Sequence, residues 1–203
     1  MDLPIEIWQQ CLFFSDFLIQ IRLRCVCKIF HAKLEVHDFS DDKYTDLLTD
    51  DILQNYPFIK VLRASRNPTI TNVNHMSKLE ILIAEGENGI DTASIANINL
   101  KILHAWDNSG ITDVNHMSRL ERLYAGGDCG INDKGIANLN LKHLNADYNP
   151  KITDVNHMNR LEILYAQGNC CGISNGGFAN INLKELYSGN NPKITHVIKK
   201  LIK

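Results

Sequence analysis

The sequence predicts an α+β chain in which a short helical module at the N-terminus precedes a solenoid of about seven coils. The main observation is repetition: the segment V-N-H-M-x-x-L-E starts at Val73, Val114 and Val155, each copy 41 residues after the previous one. A finer repeat of 20–22 residues runs from residue 59 onwards, whereas the first 38 residues contain no repeat. Because repeated units of this size fold alike and bury their apolar faces by stacking, the pattern indicates a solenoid.

Residues 1–38 are predicted to form two or three short helices. Pro4 stands where a first helical turn tolerates proline, and apolar residues follow at helical spacing: Ile5, Trp8 and Leu12. A second helix is expected after Ser15 or Asp16, either of which can cap it. A helical unit this short cannot bury a stable core of its own, so we expect it to need a partner.

Residues 39–58 connect this module to the solenoid, which extends over residues 59–203. Seven copies of the pattern L-x-x-L-x-A-x-x-N-x-x-I start at Ile59, Leu79, Leu100, Leu120, Leu141, Leu161 and Leu183. Successive starts are 20, 21, 20, 21, 20 and 22 residues apart. The pattern resembles the leucine-rich repeat, and the 41-residue period then corresponds to two alternating coils.

The inward positions of each coil follow from the alternation of side chains along a strand. We expect the second leucine of each copy and the alanine two residues later to point into a narrow core. The ninth position is expected to form a ladder of polar side chains that bind the turning backbone, with distortion at Glu87 and Asp128. Its members are Asn67, Glu87, Asn108, Asp128, Asn149, Asn169 and Asn191. In V-N-H-M-x-x-L, the valine, methionine and leucine should be buried and the asparagine and histidine should face solvent.

Composition limits the possible functions. The net charge is −2, with 44% hydrophobic and 22% charged residues, which does not suggest a nucleic-acid or membrane surface. No apolar run approaches the roughly 20 residues that a membrane-spanning helix needs. The six cysteines lack metal-ligand spacing and a secretory signal, so we interpret them as reduced thiols of an intracellular protein.

The sequence predicts no catalytic site, no cofactor and no metal. His75, His116 and His157 recur at one position, but they lie two coils apart, about 10 Å or more between neighbours, so one ion cannot bridge them. The same distance excludes a disulfide between Cys129 and Cys170, which we align with each other. The residue pair 170–171 makes its coil one residue longer and predicts a bulged turn.

The N-terminal module resembles an F-box. The stretch LPIEIWQQCLFFSDFLIQIRLRCVCKIFHAKL has the Leu-Pro start, an amphipathic helix and the R-x-R-x-V-C-K-x-F segment, in which Phe30 stands where many members carry tryptophan. The following LTDDILQNYPFIKVL resembles the entry repeat of F-box proteins with leucine-rich repeats. By motif position, the resemblance implies the F-box apolar set Leu3, Pro4, Ile7, Leu12, Leu18, Leu23, Val26 and Phe30. It does not separate adaptor contacts from residues internal to a three-helix core.

That resemblance implies the substrate-recognition subunit of a cullin–RING ubiquitin ligase. The F-box would bind a Skp-type adaptor and the repeats would bind a target protein whose identity the sequence does not disclose. Two alternatives stay open: a competitor that sequesters the adaptor without delivering a target, and a non-catalytic repeat scaffold whose N-terminal helices cap the solenoid. The short, Asn- and Ile-rich repeats also resemble F-box repeat proteins of giant DNA viruses. The expected location is the cytoplasm or nucleus, in the host if the protein is viral.

The concave face of the solenoid is the predicted target-binding surface. Trp, Tyr and Arg dominate protein interfaces, and several lie at outward strand positions. The predicted patch comprises Arg63, His104, Trp106, Arg122, Tyr124, Tyr165 and Tyr187. The alternative is that the β-propensity of these residues alone places them on strands.

Overall fold

The computed structural model describes residues 4–13 and 37–195. Helix α1 spans Ile5–Phe13. It begins after Pro4, whose carbonyl oxygen accepts hydrogen bonds from the N–H groups of Ile7 (3.1 Å) and Trp8 (3.4 Å). The first predicted helix is therefore confirmed, whereas the second lies outside the described residues.

Eight short strands form one parallel sheet in which each strand pairs with the next along the chain. They are β1 (Asp38–Phe39), β2 (Val61–Arg63), β3 (Ile81–Ile83), β4 (Ile102–His104), β5 (Arg122–Tyr124), β6 (His143–Asn145), β7 (Ile163–Tyr165) and β8 (Glu185–Tyr187). Each predicted copy supplies one strand, β2 to β8, and we number the coils one to seven in that order. The sheet has the topology of a solenoid-like repeat.

Strand β1 was not predicted, and it places the start of the sheet before the first repeat. Asp38 pairs with Val61 and Phe39 with Leu62. Two residues without a repeat pattern carry no strand signal of their own. The pairing arises because the first coil presents an unpaired edge that a neighbouring segment can satisfy.

The connecting segment forms a 3₁₀ helix at Asp42–Leu47 and a short helix α2 at Asp50–Leu53. Thr49 caps α2, because its hydroxyl accepts the N–H of Ile52 at 3.3 Å. Leu48 and Leu53 are buried, and the ring of Phe39 lies 5.0 Å from that of Tyr56. This segment therefore closes the N-terminal end of the hydrophobic core.

The predicted inward positions are buried. The second leucine of each of the first six copies is at most 1% exposed and the alanine after it is fully buried. The exception is the last coil, where Leu186 is only partly buried. On the opposite side, the valine, methionine and leucine of the three V-N-H-M segments are also buried. The core is thus a narrow column of small and branched side chains between the strands and the returning segments.

The polar ladder exists, but only in the odd-numbered coils. Asn149 is fully buried, and its Nδ2 donates to the carbonyl oxygens of Ala125 (2.7 Å) and Ile131 (3.2 Å) in the preceding coil. Its Oδ1 accepts the N–H of Lys151 at 2.8 Å. The side chains that repeat this arrangement are those of Asn67, Asn108 and Asn191. Each buried amide binds backbone groups of its own coil and of the preceding coil, or, for Asn67, of the connecting segment.

In the even-numbered coils the predicted ladder is wrong. Glu87, Asp128 and Asn169 are exposed, and residues further along the turn take the interior place. Those residues are Asn88, Cys129 and Cys171. Cys171, whose Sγ donates to the carbonyl oxygen of Ala146 at 3.4 Å, is therefore the counterpart of Cys129, and Cys170 is the exposed extra residue of a longer turn. The turns of the two coil types have different backbone paths. Residues at the ninth position of the repeat pattern therefore point inward in odd coils and outward in even coils.

The asparagines of V-N-H-M are also not solvent-facing as predicted. Asn115 is half-buried, its Nδ2 donates to the carbonyl oxygen of Lys134 (2.7 Å) and its Oδ1 accepts the N–H of Asn138 (2.7 Å). Asn74 and Asn156 make the equivalent bonds. These amides form a second ladder, because the 3₁₀ helices of the following coils leave backbone groups that need partners. Those helices are Ala93–Ile95, Asp133–Ile136 and Asn175–Phe178.

Each of the strands β2–β8 is followed by a residue with a positive φ angle, and the type of residue at that position explains the two-coil period. In odd coils the residue is Arg66, Asp107, Tyr148 or Asn190, and in even coils it is Gly86, Gly127 or Gly168. A Cβ on Gly168 would lie 2.3 Å from the ring of Tyr148, so the odd-coil side chain occupies the space above the even-coil glycine. Two neighbouring coils must therefore differ, and the unit that repeats is the pair.

Candidate protein-binding face

The outward side chains of strands β2–β8, together with the residue two positions after each strand, form what we call the strand face. In-register pairing aligns them in three columns. All seven residues of the sequence-predicted patch lie on this face. The middle column reads Arg63, Ile83, His104, Tyr124, Asn145, Tyr165 and Tyr187.

Aromatic rings of the middle column stack in two pairs. The ring centroids of His104 and Tyr124 are 4.1 Å apart with an interplanar angle of 14°. Those of Tyr165 and Tyr187 are 4.4 Å apart with an angle of 7°. Asn145 separates the two pairs. Parallel strands place equivalent side chains at about 4.8 Å, which is why rings at consecutive positions stack.

Trp106 lies in the neighbouring column and covers a glycine. A Cβ on Gly126 would lie 2.3 Å from Cζ3 of Trp106, so the indole occupies the space that a side chain at position 126 would fill. Trp106 is half-buried and lies on the opposite side of its strand from the core. The sequence signal for this contact was a glycine two residues after β5, at a position of the strand face where the other coils except the last carry a side chain.

A cleft of about 420 Å³ opens beside Trp106 at the N-terminal end of the strand face. Its lining residues are Thr45, Asp46, Arg63, Ser65, Arg66, Glu85, Gly86, Trp106 and Asp107. Thr45 and Asp46 come from the connecting segment, which sequence reasoning did not include in the site. The cleft therefore combines two cationic side chains, three carboxylates and an indole.

Two glutamates of the strand face interact with aromatic side chains of the middle column. Nδ1 of His104 lies 3.4 Å from Oε1 of Glu85, and this hydrogen bond lowers the pKa of Glu85 more than burial raises it. Tyr187 donates from its hydroxyl to Oε2 of Glu185 at 2.7 Å, which raises the pKa of Tyr187 to about 12. At neutral pH Glu85 is thus a carboxylate and Tyr187 a neutral donor.

Asp147 is the buried carboxyl group of this face. It is 6% exposed, and burial raises its pKa although the N–H of Gln167 donates to Oδ1 at 2.6 Å and Nε2 of Gln167 to Oδ2 at 3.2 Å. Nearby, burial and the charge of Arg122 lower the pKa of His143. The C-terminal half of the face therefore has a carboxylate without a charged partner among the described residues.

The structure describes only part of the predicted F-box apolar set. Pro4 and Ile7 are exposed, Ile7 to 39%, whereas Ile5 and Trp8 pack against the core. Leu12 lies in α1. The remaining predicted members lie outside the described residues: Leu3, Leu18, Leu23, Val26 and Phe30.

Two of the repeated histidines contact the backbone of the preceding coil. Nε2 of His157 lies 3.1 Å from the carbonyl oxygen of Ile136, and His116 repeats this contact one pair of coils earlier. Burial raises the pKa of the Cys129 thiol to about 11.

Within residues 4–13 and 37–195, no group of three or more His, Cys, Asp or Glu side chains could hold a metal ion. The same residues contain no helix of the length and hydrophobicity that a membrane span requires.

Comparison with known protein families detects an F-box domain at residues 1–39. The match includes α1 and strand β1 and ends before the strands β2–β8. An F-box indicates an adaptor-binding module of SCF-type ubiquitin ligases, whose F-box subunits are generally non-catalytic. A search of curated proteins returned no match to the chain.

Proposed function

We propose that this chain is a non-catalytic substrate-recognition subunit of a cullin–RING ubiquitin ligase and acts inside the cell. In this proposal the F-box, residues 1–38, binds a Skp-type adaptor, and residues 39–58 connect it to repeats of the leucine-rich type at 59–203. The strand face binds the target protein. The observation that carries the proposal is an F-box at the N-terminus followed directly by a solenoid-like sheet with an aromatic, half-exposed face.

The distribution of exposed apolar side chains supports the division of labour. Ile7 on α1 is 39% exposed, whereas Ile5 and Trp8 pack against the core, so the described side chains of the helix differ in exposure. On the strand face, Tyr187 is 42% exposed and Trp106 half-exposed. Exposed aromatic side chains next to charged groups are typical anchors of protein interfaces.

Replacement of Ile7 by glutamate should abolish adaptor binding. The substitution puts a charge at an exposed position of α1, and an unpaired charge in an interface costs several kcal/mol. The measurement is co-precipitation of a purified Skp-type adaptor with the full chain. Pro4→Asp combined with Leu23→Glu tests adaptor binding from two other positions of the F-box motif.

Ile52→Glu is the matched control, because Ile52 is also 39% exposed but belongs to α2. It should bind the adaptor as the wild type does, and circular dichroism should show both variants folded. Failure of the wild-type chain to bind the adaptor would refute the ligase assignment and favour the repeat scaffold.

Alanine at both Trp106 and Tyr124 should prevent target ubiquitination without affecting adaptor binding. The two substitutions remove the indole beside the cleft and one ring of the His104–Tyr124 stack, and loss of two interface anchors typically weakens binding by about 100-fold or more. The measurement is ubiquitination of a co-purified target with adaptor, cullin, RING subunit and E2 supplied.

Phe58→Ala serves as the control, because Phe58 is an aromatic residue that is 48% exposed and lies away from the strand face. Target ubiquitination should survive this substitution. If adaptor and target both bind the wild type but no ubiquitin is transferred, the chain is instead a competitor that sequesters the adaptor.

A further inference from the structure

The middle column of the strand face contains a gap between its two aromatic stacks. Tyr124 and Tyr165 lie two strands apart, with Asn145 between them. Tyr124 stacks on His104 and Tyr165 on Tyr187, so each tyrosine has its second ring face directed towards Asn145. With strands about 4.8 Å apart, the two tyrosines are separated by about 9.6 Å.

This separation suits one planar group. A flat group midway between the rings would lie about 4.8 Å from each of them, within the roughly 6 Å over which a ring attracts a cation. Asn145 leaves that space open, because its Oδ1 accepts the N–H of Asp147 at 3.0 Å and the side chain is half-buried. The gap is therefore a slot with two aromatic walls and an amide floor.

The aromatic walls of the slot favour a cation. The charged residues at the outward positions beside the slot are Arg122, in the column on one side, and Asp147, in the column on the other. Asp147, directly beside the floor residue Asn145, forms no ion pair within the described part of the chain. A cation that enters the slot would meet the electron-rich faces of two rings, with Asp147 buried in the neighbouring column.

We propose that the slot is a subsite for an arginine side chain of the target protein, with the guanidinium between the rings of Tyr124 and Tyr165 and above Asn145. Guanidinium is the side-chain group that is both planar and permanently charged, so it matches the shape as well as the sign of the site. A lysine ammonium has the charge without the plane. The inference rests on the proposed function, because it assigns the strand face to the target.

The test is an NMR titration of the full chain with the peptide acetyl-Gly-Gly-Arg-Gly-Gly-amide. We expect saturable shifts of the ring protons of Tyr124 and Tyr165, with a dissociation constant on the order of 1 mM for a single anchor. Matched peptides with lysine or with the neutral isostere citrulline should bind about tenfold more weakly. Asn145→Tyr should abolish binding, because the new ring fills the slot, whereas Asn145→Ala should retain it.

Equal affinity for the lysine and arginine peptides would overturn the proposal. So would unchanged binding to a folded Asn145→Tyr variant, or the absence of any shift of the two rings at about 10 mM arginine peptide. The titration contains no adaptor. Its failure therefore leaves the adaptor co-precipitation unaffected, and a negative co-precipitation leaves the titration interpretable.

Discussion

Asn149→Ala should lower the free energy of unfolding by about 3 kcal/mol, because it leaves buried backbone groups without partners. The side chain is fully buried and its Nδ2 donates to the carbonyl oxygens of Ala125 and Ile131, while its Oδ1 accepts the N–H of Lys151. Alanine can replace none of these three bonds, and the turn is closed to water. Urea unfolding followed by circular dichroism gives the free energy from the midpoint and slope.

The matched control is Asn169→Ala, at the position that the repeat pattern aligns with Asn149. Asn169 is exposed, so its removal should change the free energy of unfolding by less than about 0.5 kcal/mol. Equal effects at the two positions would contradict the restriction of the buried amide ladder to the odd coils. The two variants separate sequence from structure, because the repeat pattern predicts that both residues belong to the ninth-position ladder.

Gly130→Ala should destabilise the protein by about 3 kcal/mol, because there is no space for a methyl group between two coils. A Cβ at this position would lie 2.4 Å from the carbonyl oxygen of Ser109 and 2.7 Å from that of Ile111. Both contacts are with backbone atoms of the preceding coil, which cannot rotate away as a side chain can. The two coils would have to separate, and the hydrogen bond from the Gly130 N–H to the carbonyl oxygen of Asn108 would weaken.

Gly110→Ala provides the comparison, since Gly110 also precedes an isoleucine but belongs to an odd coil. Its Cβ would lie 3.3 Å from Cβ of the exposed Asp91 and 3.3 Å from the carbonyl oxygen of Ile90, with no closer atom. The free energy of unfolding should stay within about 1 kcal/mol of the wild type. A large loss at Gly110, or none at Gly130, would contradict the difference in spacing between odd and even coils. Thermal unfolding of the two variants under identical conditions measures the stability that each substitution removes.

The strands and the buried residues within them could be predicted because their signal is local. Leucine and alanine alternate with polar residues in each copy, and a period of two assigns sides without knowledge of any neighbour. Seven repetitions then average out exceptions, so β2 to β8 and their columns followed from counting. Strand β1 had no repetition to support it and was missed.

The ninth-position ladder failed in alternate coils for a physical reason. Which residue of a turn faces inward depends on the backbone dihedral angles before it, and these differ between coils that carry Tyr148 or Gly168 at the left-handed position. The choice between them is made by the neighbouring coil, whose side chain occupies the space above the glycine. Spacing along the chain contains no information on that contact between coils. Asn169 was therefore predicted to be an inward residue, and Cys170 was aligned with the buried Cys129 in place of Cys171.

The sequence by itself determined the repeat, the strand positions, the column membership of each outward residue and the resemblance of the first 38 residues to an F-box. These properties depend on residue order and side-chain alternation, which a linear pattern contains in full. Only the tertiary structure decided which rings stack, that Asn145 leaves a slot between two tyrosines, and that Asp46 joins the cleft beside Trp106. Those features depend on distances between residues some 20 or more positions apart, and the stacking of coils sets such distances.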